Sequence, residues 1–199
     1  MPDHPRLLAY GLLAGLGVPA TDWADSVLPA PGRFLEVCFQ HGCASTATVP
    51  LEEEVLAELS RIFAPAGDAA RERAAIARGI ATLERYVGSR TGTDRDRGGT
   101  FPGAFRQGQM DCIDESTNTT RYLRLFARQG WLRRHAVAVP ATRLPIPVGW
   151  WPHTTAVVTE LSTGTAYAVD SWFEANGQPP HIVDLDTWRG GWKPPKVDP

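Results

Sequence analysis

The sequence predicts an α+β domain, and three observations carry that prediction. Apolar residues recur at helical spacing through 51–63 and again through 68–88. A third helical pattern opens at Cys112, and downstream two strand-like runs fold back on each other about Ser162 and Thr163. The expected architecture is a set of N-terminal helices and a central Cys112 helix packed on an antiparallel sheet. A chain of 199 residues is long enough to bury a real core, and nothing in it demands two domains.

Taken in order, residues 1–6 are a short polar start, 7–18 are an apolar run, and Val18-Pro19-Ala20 offers small residues for cleavage. This is the layout of a secretory signal over 1–20, with 21–199 as the single domain. The competing reading is an amphipathic first helix packed on the domain. The run is short of the ~20 apolar residues a transmembrane span needs. Cys38 and Cys43 stand either side of Gly42, close enough for a tight-loop disulfide, which leaves Cys112 as the odd thiol. That division suits a periplasmic or secreted protein; in the cytoplasm the pair would be reduced. His41 between them raises zinc, but a fourth ligand is missing and the spacing is wrong, so no metal site is expected there.

The first helix carries Leu51, Val55, Leu56, Leu59, Ile62 and Phe63 on one face and is stopped by Pro65. The second starts near Asp68, carries Ile76, Ile80, Leu83, Tyr86 and Val87, and is expected to end at Gly88. Residues 89–108 are rich in Gly, Asp and Arg without periodicity, and read as an irregular loop forming one rim of a cleft before Cys112. The Cys112 helix has Asp111 as N-cap, Asp114 and Glu115 in its first turn, Tyr122, Leu125 and Phe126 on its apolar face, and Gly130 at its end. A thiol at a helix start meets free N–H groups and the positive end of the helix dipole, which is expected to favour a thiolate. His135–Val139 reads as a short strand and 140–152 as a proline-rich link. His153–Glu160 and Thr165–Asp170 read as the hairpin, and 188–199 as an irregular tail.

The hairpin brings Asp170 opposite His153 or within a residue or two of it. A carboxylate there fixes the imidazole tautomer, leaving the other ring nitrogen to take a proton from a thiol. His135 is the rival base, but only His153 has a hairpin that returns a carboxylate to it.

The order of Asp111-Cys112-Ile113-Asp114-Glu115, His153-Thr154-Thr155-Ala156-Val157-Val158 and Val169-Asp170-Ser171-Trp172-Phe173 resembles the transglutaminase-like superfamily of cysteine enzymes, in particular the bacterial transglutaminase-like cysteine proteinases. The resemblance covers about residues 105–192. It implies a papain-like/transglutaminase-like fold, with Cys112 as nucleophile, His153 as general base and acid, and Asp170 as the orienting member. No family signature for an oxyanion-hole side chain is present. Gln109 and Gln107 are the candidates, and the backbone N–H of Cys112 is another donor. The resemblance also implies that Asp111, Asp114 or Glu115 could hold calcium, although helix capping accounts for them, and no other cofactor is expected.

A net charge of −2 with acids and bases interspersed argues against a nucleic-acid or membrane-surface role. Seven tryptophans are many for this length; of those near the proposed site, Trp151 and Trp172 are candidates to wall a cleft for a protein or peptide substrate, against the plainer reading of core packing. The expected chemistry is acyl transfer on amide bonds, first of all peptide or isopeptide hydrolysis. Amine transfer giving a crosslink is a variant. The alternative is an inactive secreted binding or assembly module that keeps the fold.

Overall fold

The computed structural model describes residues 33–99, 106–144 and 152–195. The proposed signal over 1–20 therefore lies outside the described residues. Among these, four α-helices and seven strands form an α+β arrangement in which every strand pairing is antiparallel.

The chain enters through a hairpin of β1 (Phe34–Phe39) and β2 (Ser45–Pro50), in register from Phe34 opposite Pro50 to Phe39 opposite Ser45. Period-two alternation turns Leu35 and Val37 into the core and Phe34 and Glu36 outward. Cys38 and Cys43 close its turn as a disulfide with a Cα–Cα distance of 4.7 Å, as their spacing predicted.

Helix α1 (Glu53–Phe63) buries Val55, Leu59 and Phe63. Helix α2 (Ala69–Thr91) starts where expected, with Asp68 accepting a hydrogen bond from the Arg71 N–H at 2.7 Å. Its end differs from expectation. Gly88 is interior, and the left-handed cap is Gly92 at φ 79°. A Cβ on Gly88 would stand 2.7 Å from the Asn176 side chain and 2.9 Å from the Asp94 backbone nitrogen. The glycine lets the helix approach a loop closely; it does not stop the helix. The segment expected to be irregular from Ser89 thus contributes a last helical turn and a short 3₁₀ piece at Thr93–Arg95.

Helix α3 (Cys112–Arg128) has a capping box: Asp111 accepts from the N–H groups of Ile113 (3.0 Å) and Asp114 (2.9 Å), and Asp114 accepts from the N–H of Asp111 (3.3 Å). It gives way at Gln129, followed by Gly130 at φ 70°.

The main sheet holds β3 (His135–Val137), β4 (Ala141–Arg143), β5 (His153–Glu160), β6 (Ala166–Asp170) and β7 (His181–Asp184). Its order is β3-β5-β6-β7, and β4 pairs the first residues of β5 on the edge that β3 pairs further along. Strand β4 corrects the expectation that the link after β3 is irregular throughout. The proline-rich part at 145–151, with Trp151, lies outside the described residues. Helix α4 (Leu185–Arg189) corrects the expected irregular tail at its first residues.

The sheet is covered on both faces, which is why most of β5 is buried. Ala156, Val158 and Val169 join Leu59, Ile76, Ile80, Leu83 and Leu123 in the core that contains α2 and α3. On the opposite face Val157 and Ala168 pack with Leu185 and Trp188 of α4. No helix among the described residues is long and apolar enough to cross a membrane.

Candidate active site

Cys112 is the first residue of α3 and is half-buried. The helix lies across β5, and this sets the thiol against the head of that strand. Sγ stands 3.9 Å from the Pro152 carbonyl oxygen, and the Thr154 backbone also hydrogen-bonds to it. Pro152 and Thr154 flank His153.

The electrostatics of the thiol differ from the expectation of a stabilised thiolate. Burial pushes the Cys112 thiol above its ordinary value, and the carboxylates of Asp111 and Asp170 push it further. Hydrogen bonds from the backbone of Thr154 and of Cys112 itself work the other way without prevailing. The dipole at the start of α3 is offset by the very carboxylate that caps it. The surroundings of Cys112 therefore favour the neutral thiol over the thiolate.

His153 Nε2 is 2.7 Å from Asp170 Oδ2, with both side chains buried. The register explains the meeting. Ala156 is opposite Val169, so the pairing continued places Asp170 opposite Thr155, two residues from His153 and on the same face of the sheet. Asp170 accepts two further hydrogen bonds: its Oδ2 from the Trp188 indole N–H at 2.7 Å, and its Oδ1 from the Trp172 backbone N–H at 3.3 Å. With Nε2 committed to Asp170, Nδ1 is the ring nitrogen that can serve a thiol. Three aromatic rings surround the imidazole at centroid distances of 4.9 Å (Trp172), 5.4 Å (Phe173) and 5.5 Å (Trp188). They shield the His153–Asp170 hydrogen bond from water and so strengthen it.

The other sequence candidates fall as follows. Trp172 is half-buried and walls the site beside His153. Trp188, by contrast, is fully buried behind Asp170 and walls no cleft. Gln109 is buried and turns its amide onto the loop ahead of Cys112: its Nε2 donates to the Arg95 carbonyl at 2.6 Å and its Oε1 accepts from the Arg97 N–H at 3.3 Å. Gln107 is exposed. The described start of this loop packs against the residues that follow Asp170: the Gly99 N–H donates to the Trp172 carbonyl at 2.6 Å, and a Cβ on Gly98 would collide with the backbone of Phe173 and Glu174.

His135 is excluded by position. It pairs Glu160, at the far end of β5 from His153, roughly 23 Å along the strand. It too has a carboxylate, but one that no hairpin returns to it. Glu72 of α2 lies 3.0 Å from its Nδ1 and also accepts from its backbone N–H. That pair is completely buried and ties α2 to β3.

The acids around Cys112 are engaged with backbone. Asp114 is buried and accepts from the N–H groups of His41 and Cys43, both at 2.7 Å, and Asp111 accepts from that of Gly42 at 2.9 Å. The donors belong to the disulfide turn. Gln40, His41, Gly42 and Cys43 all have φ between 58° and 66°, and successive left-handed residues of this kind aim their N–H groups into one concavity. The strained hairpin turn is thus a cradle for the carboxylates that cap the Cys112 helix. Asn118 adds a second tie, exchanging hydrogen bonds with the Cys38 backbone at 2.7 and 2.8 Å. Sequence reasoning noted both cysteines and both aspartates separately; nothing local joins residues so far apart in the chain.

A second feature escaped the sequence. Glu84 of α2, Asp96 of the loop and Glu115 of α3 form a buried carboxyl cluster behind the site. Burial raises Glu84 to about 8 and Asp96 to about 6, and pushes Glu115 well up; each also feels its neighbours' charge. Glu84 Oε2 accepts from the Gly177 N–H at 2.9 Å, while Oε1 is buried without a partner among the described residues. Asp96 and Glu115 hydrogen-bond to each other, and Asp96 also accepts from the Met110 N–H at 2.7 Å. Among the described residues no group of His, Cys, Asp and Glu is arranged to hold a metal ion.

Compared with family models, curated proteins and solved structures, the chain finds no match in any of the three.

Proposed function

We propose that the protein is a cysteine-dependent acyl-transfer enzyme of papain-like/transglutaminase-like architecture whose first reaction is hydrolysis of a peptide or isopeptide bond. The observation that carries this reading is the buried His153–Asp170 pair at 2.7 Å, with a free thiol at the start of a helix 3.9 Å from the carbonyl oxygen of Pro152, the residue before His153. A nucleophile-bearing helix lying across an antiparallel sheet that supplies base and orienting carboxylate supports the same reading.

The raised thiol supports a first step that begins with a proton transfer. His153 Nδ1 takes the proton from Cys112 as Sγ attacks the amide carbonyl, so that proton transfer and attack are coupled. The imidazolium, held by Asp170, then gives its proton to the departing amine. Water, deprotonated by the same imidazole, attacks the thioester and restores the thiol. The N–H of Cys112, free of an intrahelical partner at the helix start, is the donor for the oxyanion. Gln109 is a weaker candidate because its amide holds the loop.

The same raised thiol favours a second reading, a binding or assembly module with an unreactive cysteine. Incubation with a mixed-sequence peptide library, read by mass spectrometry for new termini and for acylated Cys112, separates the two. The enzyme generates both in the wild type and neither in Cys112→Ser; an added primary amine reveals transfer if it enters the products. Wild type indistinguishable from Cys112→Ser, together with alkylation of Cys112 that His153→Ala does not slow, overturns the enzyme reading and leaves the module.

A further inference from the structure

Helix α4 carries the largest fully buried side chain among the described residues, Trp188, on the face of the sheet opposite α3. An apolar ring would fill that space as well, and an indole is retained in a core where its N–H has a partner. Here the partner is Asp170 Oδ2, at 2.7 Å, the same oxygen that holds His153 Nε2. With the Trp172 N–H on Oδ1, the carboxylate is held from three directions, and its plane cannot turn without breaking a buried bond. The indole is itself clamped. Asp184 caps α4 by accepting from the Thr187 N–H at 2.9 Å, and Arg143 of β4 donates to the carbonyls of Trp188 (2.5 Å) and Trp192 (2.9 Å) with its guanidinium 4.5 Å over the indole ring. Arg143 stands opposite His153 in the β4–β5 register, so one strand pair anchors both the imidazole and the indole.

We propose that Trp188 is a positioning residue for the Cys112–His153–Asp170 set, acting through Asp170: its N–H fixes the carboxylate that orients the imidazole. The proposal rests on the acyl-transfer reading and adds a fourth member to it. Removing the N–H leaves a buried charged oxygen one bond short and frees the carboxylate to rotate, so the imidazole loses its orientation although it keeps its partner.

The test is the rate of Cys112 alkylation by iodoacetamide across pH in wild type, His153→Ala and Trp188→Phe. Expected is a slowing of about tenfold in Trp188→Phe, the size of one hydrogen bond to a charged group, with a displaced midpoint of rate against pH. A tryptophan that only filled space would leave that midpoint in place, and an unchanged midpoint with His153→Ala slow overturns the proposal alone. Equal rates in His153→Ala and wild type overturn the acyl-transfer reading and this proposal with it. Because Trp188→Phe can fail to fold, the wild type labelled with ¹⁵N-tryptophan supplies a second measurement. The Trp188 indole N–H resonance should titrate with the alkylation midpoint, and a resonance that stays fixed across it overturns the assignment.

Discussion

Glu84 is the residue whose replacement tests the electrostatics of this fold most directly. In the unfolded chain its carboxyl ionises near its ordinary value of 4.5, whereas in the folded protein burial raises it to about 8. The native state then keeps a proton between those limits that the unfolded state has lost. Stability from this group is therefore greatest at low pH and is lost as pH rises through that window, by ~1.4 kcal/mol per pH unit for one proton. Over the whole window Glu84 alone accounts for up to about 5 kcal/mol, and Asp96 adds a loss of the same sign over the lower part of it. Asp96 raises Glu84 further by its charge, while Arg85 and the hydrogen bonds from Gly177 and Ser171 oppose the shift. Glu84→Gln keeps the shape and an acceptor for the Gly177 N–H and removes the titration. Urea unfolding of both proteins without reductant, at pH 5, 6, 7 and 8.5, should show the variant gaining on the wild type by several kcal/mol as pH rises. Curves that run parallel across pH would refute burial as the source of the shift.

Two further perturbations address the packing around the site. Asp114→Ala removes the acceptor shared by the N–H groups of His41, Cys43 and Asp111, and should lower stability by ~2–4 kcal/mol in denaturant unfolding; a loss under ~1 kcal/mol would show that the disulfide turn does not depend on that carboxylate. Gly88→Ala places a methyl 2.7 Å from the Asn176 side chain and 2.9 Å from the Asp94 backbone, so it should destabilise by ~1–3 kcal/mol in spite of alanine's better helix propensity, and a rise in Tm would contradict the close approach.

The helices and the hairpin were legible because their signals are local. Asp68 as a cap, Asp111 ahead of Cys112, Pro65 after α1 and the alternation through β5 each act within a few residues, and the structure places α1, α2, α3, β5 and β6 close to where periodicity put them. The proximity of His153 and Asp170 followed from the hairpin alone, since a short turn sets register and register sets which side chains share a face. The errors arose where a local signal serves a distant contact. Gly88 has the look of a helix stop, but its missing side chain makes room for residues after β6. The carboxylate beside His135, Glu72, comes from α2, and no local signal in the sequence joins the two.

What the sequence by itself determined is thus the inventory and the local geometry: an α+β set of elements, a disulfide between cysteines five residues apart, a thiol at a helix start and an imidazole–carboxylate pair across one hairpin. Tertiary structure decided the environment of those groups. It caps the Cys112 helix with carboxylates held by the disulfide turn, gathers Glu84, Asp96 and Glu115 behind the site, and seats the Trp188 indole on Asp170. It also reverses the expected bias of the thiol. The physical reason is that a helix dipole or a cap acts within one turn and can be read from neighbours in sequence, whereas desolvation and charge–charge coupling depend on which distant segments exclude water from the same few ångströms.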